Sequence, residues 1–315
     1  MNSYSILPNG ATLYSPGMFD QRLNEINHVI VVAGHASFRT DRRREDESLR
    51  FGNDEPWVLQ PFQAGEPPLY GQHAAAGLDL AAKDSKTSLV VMSGGFTRPE
   101  SVGGLVNWSE ASSYYLAARN MGWLTTRAQT RLEMVTNKRD FDARWGRGRP
   151  TLRVPLNLAQ HTASGQDVLV GLNQYPRDSI ENVIGDVAVH YALTGRWPEK
   201  ISVMSWKFKE ERFNMHAEAL GIPASIFNFV GVNNPIDEEL PSAMKGEARA
   251  VEQFSDDPLG VQKLGMDLPG SEYQALRTLR AQSLYGKRMS RDPLGLGNPA
   301  WGLHTKMKKH YRKTA

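Results

Sequence analysis

Residues that could bind or transform a small ligand follow four short apolar stretches of this sequence. Gly34 and His35 follow the first stretch, and Ser93-Gly94-Gly95 follows the second. The backbone N–H groups of a Ser-Gly-Gly turn form a concave site for an anion, and Thr97 and Arg98 add donors that suit phosphate or carboxylate. A tight turn without a ligand also explains the two glycines. If the turn binds a ligand, these residues predict that the ligand is an anion.

Two cations follow the third apolar stretch, and small polar residues follow the fourth. Ser205 ends the third stretch, Lys209 and Arg212 come soon after it, and Gly231 follows the fourth. The two charges would neutralise a bound anion, and helices that begin near Asp178 and Lys209 would direct their positive ends towards it. We therefore predict these substrate-binding residues: Gly34, Ser93, Gly94, Gly95, Thr97, Arg98, Glu110, Asn182, Ser205, Lys209 and Arg212.

His35 is the candidate for proton transfer. A histidine changes its charge near neutral pH and acts as an acid or base when a carboxylate orients it. Asp178 and Glu181 are the candidates for that carboxylate, although capping of a helix explains both equally simply. We predict His35, Asp178 and Glu181 as catalytic residues, with a structural hydrogen bond as the open alternative for His35.

Familiar catalytic signatures are absent from the sequence. It contains no GxxxxGK[ST], no GxGxxG after a strand, no GxSxG and no HExxH. It also contains no cysteine, which excludes Cys nucleophiles, thiolate zinc sites and iron–sulfur clusters. These absences leave the cofactor unidentified, and we expect no bound metal.

The apolar stretches have the character of buried strands. They are rich in Val and Ile and apolar on both faces, which is typical of a parallel sheet. The predicted strands are His28–Ala33, Ser88–Met92, Ile201–Met204 and Ile226–Val230. Apolar residues at helical spacing predict helices over 72–83, 107–121, 178–193 and 209–220. Strands that alternate with such helices predict a Rossmann-like, doubly wound α/β fold, with a mostly parallel sheet and helices on both faces.

The chain divides into three parts. Residues 1–27 form an N-terminal segment, residues 28–235 the α/β domain, and residues 236–315 an irregular C-terminal extension with a basic tail at Lys306–Lys313. Two stretches of the domain lack periodicity, a polar loop over 41–66 and an irregular insertion over about 137–166. Short apolar runs offer extra strands at Leu132–Val135, Leu152–Leu156 and Asp167–Gly171.

The charge balance bears on the partners of the protein. Among 315 residues, 37 Lys and Arg face 34 Asp and Glu, a net charge of +3, so we expect no nucleic acid partner. No apolar run reaches the ~20 residues of a membrane span, and the N-terminus has no signal-peptide core. We expect a soluble, cytoplasmic protein.

The same segments resemble a known family. The chain is similar to the domain-of-unknown-function family numbered 218 (YdcF/SanA/ElyC-like), in its soluble eukaryotic branch. The matching segments are Val29–Ala36, Trp57–Gln63, Leu89–Arg98, Ser109–Tyr114, Arg177–Asn182, Lys207–Phe213 with His216, Gly231–Pro235 and, more loosely, Asp257–Gly260.

This resemblance implies a Rossmann-like fold whose motif loops gather in one pocket. Bacterial relatives have been linked to envelope upkeep and to binding of a nucleotide-like ligand such as S-adenosylmethionine. The family usually carries an acidic residue shortly before the segment that matches Arg177–Asn182, where this chain has Gln174-Tyr175-Pro176.

Two functions remain open at this point. The first is an enzyme, a hydrolase or transferase, that acts on a small phosphorylated or other anionic substrate at the carboxyl ends of the strands. The alternative is a non-catalytic binding module for a nucleotide-like metabolite such as S-adenosylmethionine. A third hypothesis, binding of an acidic partner through the basic 139–153 stretch and the tail, has the weakest support.

Overall fold

A nine-stranded sheet lies at the centre of the molecule, with helices on both faces. The structure is a computed structural model, and it describes residues 4–6, 12–14, 18–135, 151–260 and 307–313. The strands are β1 (Tyr4–Ile6), β2 (Thr12–Tyr14), β3 (His28–Ala33), β4 (Ser37–Phe38), β5 (Trp57–Val58), β6 (Ser88–Ser93), β7 (Leu124–Val135), β8 (Thr151–His161), β9 (Asp167–Asn173), β10 (Lys200–Trp206) and β11 (Phe227–Asn233). The helices are α1 (Met18–Leu23), α2 (Pro67–Lys83), α3 (Glu110–Asn120), α4 (Ser179–Thr194), α5 (Glu210–Leu220), α6 (Leu240–Asp256) and α7 (307–313).

Five adjacent strands of the sheet are parallel. The sheet order is β1-β2-β7-β8-β9-β6-β3-β10-β11, and β9, β6, β3, β10 and β11 run in one direction. If the five strands are numbered 1 to 5 along the chain, their order across the sheet is 3-2-1-4-5, as in Rossmann-like sheets. The chain reverses its direction of progress between β3 and β10, where such folds bind ligands. The predicted fold class is confirmed.

The two faces of the sheet bury separate apolar layers. On β3, Val29 and Val31 pack with α1, α4 and α5, whereas Ile30 and Val32 pack with α2 and α3. Alternate side chains of a strand point to opposite faces of the sheet. The unbroken apolar run of β3 therefore supplies apolar side chains to both faces. Within the described residues, no helix combines the length and the apolar character that crossing a membrane requires.

Regular structure extends beyond the predicted elements. Strand β8 occupies part of the stretch that we predicted to be irregular. It contains the extra strand offered at Leu152–Leu156 and joins β7 and β9 in antiparallel pairs. Of the basic 139–153 stretch, residues 139–150 lie outside the described residues. The 41–66 loop is anchored by buried Leu49, Phe51 and Trp57.

The C-terminal extension also contains helices. Helix α6 is a regular helix of 17 residues, which the polar sequence after Pro235 did not predict. In the basic tail, α7 buries Met307 and Tyr311 against the core, and the Tyr311 hydroxyl donates to the Pro198 carbonyl at 3.0 Å. Both helices therefore pack on the α/β domain.

Candidate functional site

A small open pocket lies beyond the carboxyl ends of β3 and β10, the two strands between which the chain order reverses. It encloses about 130 Å³. Its lining residues are Ala33, Gly34, His35, Thr97, Glu110, Pro176, Arg177, Asp178, Ser179, Asn182, Ser205, Lys209, Arg212 and Phe213. Nine of these are predicted site residues, which the structure brings together: Gly34, His35, Thr97, Glu110, Asp178, Asn182, Ser205, Lys209 and Arg212.

His35 is held by the end of β3 and by aromatic neighbours. The Gly34 N–H donates to the Ser93 carbonyl at 2.8 Å, which extends the pairing of β3 with β6 beyond the strand end. The imidazole stacks on Trp206, with ring centroids 5.6 Å apart, and meets the edge of His73 at 5.2 Å. These contacts fix the plane of the ring.

His35 is neutral at physiological pH. Burial lowers its pKa well below the usual value, and the charges of Lys209, His73 and Arg212 act in the same direction. The Lys209 ammonium donates to His35 Nδ1 across 3.3 Å, so the ring proton sits on Nε2. That Nε2 is buried and has no hydrogen-bond partner in the described chain.

The predicted orientation of His35 by Asp178 or Glu181 is not found. Asp178 is the N-cap of α4, and its carboxylate accepts the Glu181 N–H at 3.1 Å. Glu181 is fully buried, does not line the pocket and forms an ion pair with Arg177. Both carboxylates are engaged at the start of the helix, and the ring bonds to Lys209 instead.

Lys209 is the cation of the pocket that lacks a carboxylate partner. In the described part of the chain, no Asp or Glu oxygen lies within 4.0 Å of its Nζ. Burial, and then the nearby charge of Arg212, lower its pKa to about 8. At pH 7 the side chain is therefore mostly an ammonium, with about a tenth present as free amine.

Arg212 has the opposite environment. Its Nε and Nη2 donate to the two carboxylate oxygens of Glu247 at 2.8 and 2.7 Å, and its Nη1 donates to Ser179 Oγ at 3.0 Å. A guanidinium carries five N–H groups, so these three bonds leave two for a ligand. The paired geometry holds the guanidinium in one orientation.

A Ser–His contact lies behind Arg212. Ser179, the first residue of α4, lines the pocket, and its Oγ lies 2.7 Å from Nε2 of His216. Burial, and secondarily Arg212, lower the pKa of His216 well below its usual value, so the ring is neutral. The serine hydroxyl accepts from Arg212 and is also hydrogen-bonded to His216, and the two contacts orient it. The sequence analysis missed Ser179 although it adjoins Asp178.

Glycine 94 does not form the predicted anion nest. The N–H of Gly94 donates to the Asn173 carbonyl at 3.0 Å and is not free for a ligand. A Cβ at Gly94 would overlap the Glu110 side chain, and a Cβ at Gly95 would overlap the Pro176 carbonyl oxygen. Neither glycine lines the pocket. Close packing of neighbouring segments therefore explains the glycine pair.

Two further predicted ligand residues lie beside the pocket rather than in its lining. Ser93 Oγ donates to the buried Asp186 carboxyl at 3.1 Å. Arg98 Nη2 donates to Gln63 Oε1 at 3.1 Å, and Gln63 in turn donates to the His35 carbonyl at 3.3 Å. Arg98 thus supports the loop that carries His35 and does not reach the pocket surface.

Glu247 is a site residue that the sequence analysis missed. It lies on α6, 35 residues after Arg212, and only 9% of its side chain is exposed. No spacing or motif connects the two residues, because the packing of α6 on α5 creates the contact. Of the described residues, no three His, Asp or Glu side chains are placed to hold a metal ion.

Comparisons with known proteins find a distant relative. The chain is 24% identical over 294 residues to the uncharacterized protein YOR238W of Saccharomyces cerevisiae, a match that covers 88% of this chain and 87% of the yeast protein. No protein-family model and no solved structure match the chain. The similarity therefore extends over most of both proteins and brings no named activity with it.

Proposed function

We propose that the protein is an enzyme that acts on a small phosphorylated or other anionic substrate, bound in the pocket between β3 and β10. The observation that carries the proposal is the Lys209 ammonium, which lines the pocket and has no carboxylate partner in the described chain. A half-buried cation without a counter-ion is unfavourable, and a bound anion would relieve that cost.

The neighbours of Lys209 support an anionic ligand. Arg212 lines the same pocket and keeps two N–H groups for a ligand, in an orientation that Glu247 and Ser179 hold. The first turn of α4 also borders the pocket at Asp178 and Ser179, and the N-terminus of a 16-residue helix favours negative charge. Lys209 thus supplies the positive charge, and Arg212 and the start of α4 adjoin it, although Glu247 and Asp178 offset part of their potential.

The size of the pocket favours a small ligand over a nucleotide-like metabolite. Its 130 Å³ is less than the roughly 300–1,000 Å³ of sites that enclose drug-sized molecules. A phosphate or carboxylate group with a few attached atoms suits this volume. We therefore rank the binding of a molecule such as S-adenosylmethionine second.

The test is the binding of inorganic phosphate, measured by isothermal titration calorimetry. Lys209→Met keeps the aliphatic stem and removes the charge, and the loss of one charge-assisted hydrogen bond of about 1.5–3 kcal/mol weakens binding about 10- to 100-fold. Lys207→Met is the matched control, because Lys207 is exposed and does not line the pocket. Equal phosphate affinity of the wild type and Lys209→Met would overturn the assignment of the pocket.

Turnover separates the enzyme from a binding module. The protein is incubated with a panel of small phosphorylated and carboxylated metabolites that displace phosphate, and each is analysed by mass spectrometry. An enzyme converts at least one of them, and the conversion is lost in Lys209→Met. Recovery of every bound metabolite unaltered would favour the binding module instead.

A further inference from the structure

We propose that Lys209 is a nucleophilic amine, which forms an imine with a small aldehyde or ketone that also carries a carboxylate or phosphate group. The inference rests on the proposed function, since the anionic group is the part of the substrate that the pocket binds. It narrows the substrate class from small anions to anionic carbonyl compounds.

The position of the amine carries this inference. Lys209 Nζ lies in the lining of the pocket and makes one hydrogen bond there, to Nδ1 of His35. His35 is neutral and its ring is fixed by Trp206 and His73, so it holds one N–H of the lysine in a defined direction. The nitrogen lone pair of the free amine remains available for attack. A lysine in an ion pair would not have this freedom.

The surroundings also raise the amount of free amine. Desolvation and a second cation are the two conditions that activate lysine nucleophiles, and both are met here. Charged and titratable groups surround Lys209: His35 after β3, Glu66 just before α2, His73 on α2, Glu110 on α3, Arg212 on α5 and Glu247 on α6. The three carboxylates raise its pKa, but burial and Arg212 outweigh them, and the pKa falls to about 8.

The chemical step requires no further reactant. The lone pair of Lys209 Nζ attacks the carbonyl carbon and forms a C–N bond, while the C=O π electrons move to oxygen, which takes up a proton. The resulting carbinolamine loses its oxygen as water, and a C=N bond forms. The sum is R–CHO plus Lys–NH₂ giving R–CH=N–Lys plus H₂O. Arg212 holds the anionic group of the substrate throughout.

Reductive trapping tests the proposal on the full chain. The protein is incubated with glyoxylate, the smallest aldehyde that carries a carboxylate, and sodium cyanoborohydride, and peptides are analysed by mass spectrometry. We expect carboxymethylation of Lys209 at least about tenfold above that of exposed Lys207. A lysine whose pKa is about 8 carries far more free amine at neutral pH than an ordinary lysine, whose pKa is ~10.4. Inorganic phosphate should suppress the labelling of Lys209 alone.

Two controls define the outcomes. Propionaldehyde, which has no anionic group, should label Lys209 at least about tenfold less than glyoxylate does at the same concentration, and equal labelling by both aldehydes would overturn the assigned substrate class. In Lys209→Arg, whose guanidinium keeps the charge but offers no nucleophilic amine, incorporation of glyoxylate at position 209 should fall to background. If wild-type protein binds phosphate but glyoxylate does not label Lys209 above Lys207, the imine is wrong and the anion site stands. If phosphate does not bind, the proposed function itself fails.

Discussion

Lys209 and His35 have separate predicted roles, as an anion ligand and as a proton carrier, yet one hydrogen bond joins them. The position of each residue after a strand end was enough to predict that both lie at one edge of the sheet. Their pairing depends on the packing of His35 against Trp206 and His73, which no spacing in the sequence records. The sequence therefore predicted which residues lie at the site better than it predicted the contacts between them.

Arg212 is a second residue whose contacts could not be predicted from the sequence. The sequence predicts a cation that neutralises a bound anion, and it does not predict the pairing of the guanidinium with Glu247 of α6. The partner lies on a helix that is polar along most of its length and buries only Glu247 and Phe254. The helix is amphipathic, but apolar periodicity identifies the face that packs on the domain and not which carboxylate on that face is buried.

Glu247→Gln should destabilise the protein. Removal of one charge from a nearly buried, bidentate pair leaves the other charge poorly compensated, at a cost of about 3 kcal/mol. Urea unfolding at pH 7.5 measures this loss. Glu252→Gln on the exposed side of the same helix is the control and should change the free energy of unfolding by less than about 0.5 kcal/mol. Equal stability of the two variants would show that the pair contributes nothing.

At the scale of elements, strands with two apolar faces were the easiest to predict. Strand β3 has the predicted bounds, and β6 extends only one residue further. The start of α3 was placed less well: the predicted helix begins at residue 107, but Ser109 is the N-cap and forms a capping box with Ser112. Several polar residues near a helix start can serve as its cap, and the packing of the preceding loop decides among them.

The Gly94 turn gives a prediction at this scale. Gly94→Ala should destabilise the protein by about 1–3 kcal/mol, because the added Cβ overlaps the Glu110 side chain at the start of α3. Thermal or urea unfolding measures the change. Gly246→Ala on α6 is a control of opposite sign: no atom lies within 4 Å of its added Cβ, and alanine favours the helix by about 0.8–1 kcal/mol. A neutral Gly94→Ala would show that the segments are not in close contact.

At the scale of the whole molecule, the doubly wound sheet follows from the alternation of apolar strands and amphipathic helices. The antiparallel part formed by β1, β2, β7 and β8 was less predictable. Its strands are half-polar, as Arg127, Gln129 and Arg131 on β7 illustrate. Their pairing over long distances in the sequence, such as β2 with β7, leaves no local signal.

Buried histidines predict how the stability of the molecule depends on pH. Burial lowers the pKa of five of them, to about 4 for His28 and His190 and about 3 for His73, and well below the usual value for His35 and His216. Between about pH 6.5 and the lowered value, the unfolded chain binds a proton that the folded chain does not, so stability falls as the pH falls. Two buried carboxyls, Asp186 and Glu66, have raised pKa values and contribute with the opposite sign, but they are fewer than the five histidines.

The expected loss is large enough to measure. His28 and His190 alone contribute about 3 kcal/mol between pH 6.5 and 5.0, because the slope rises over this range from about half to nearly all of the ~1.4 kcal/mol per group and pH unit. Urea unfolding at constant ionic strength, in buffers without phosphate, gives the slope. His28→Gln should reduce the slope by about one proton, whereas replacement of the exposed His310 should not. A free energy of unfolding that is constant between pH 7 and 5 would contradict the neutral, buried state of these rings.

The central claim, that segments distant in the chain form one receptor for a small anion, is tested most directly by a crystal structure determined with phosphate or sulfate present. The account predicts a tetrahedral anion within about 3 Å of Lys209 Nζ and of a free Arg212 N–H, at the start of α4. An anion bound elsewhere, with only water beside Lys209 and Arg212, would contradict it.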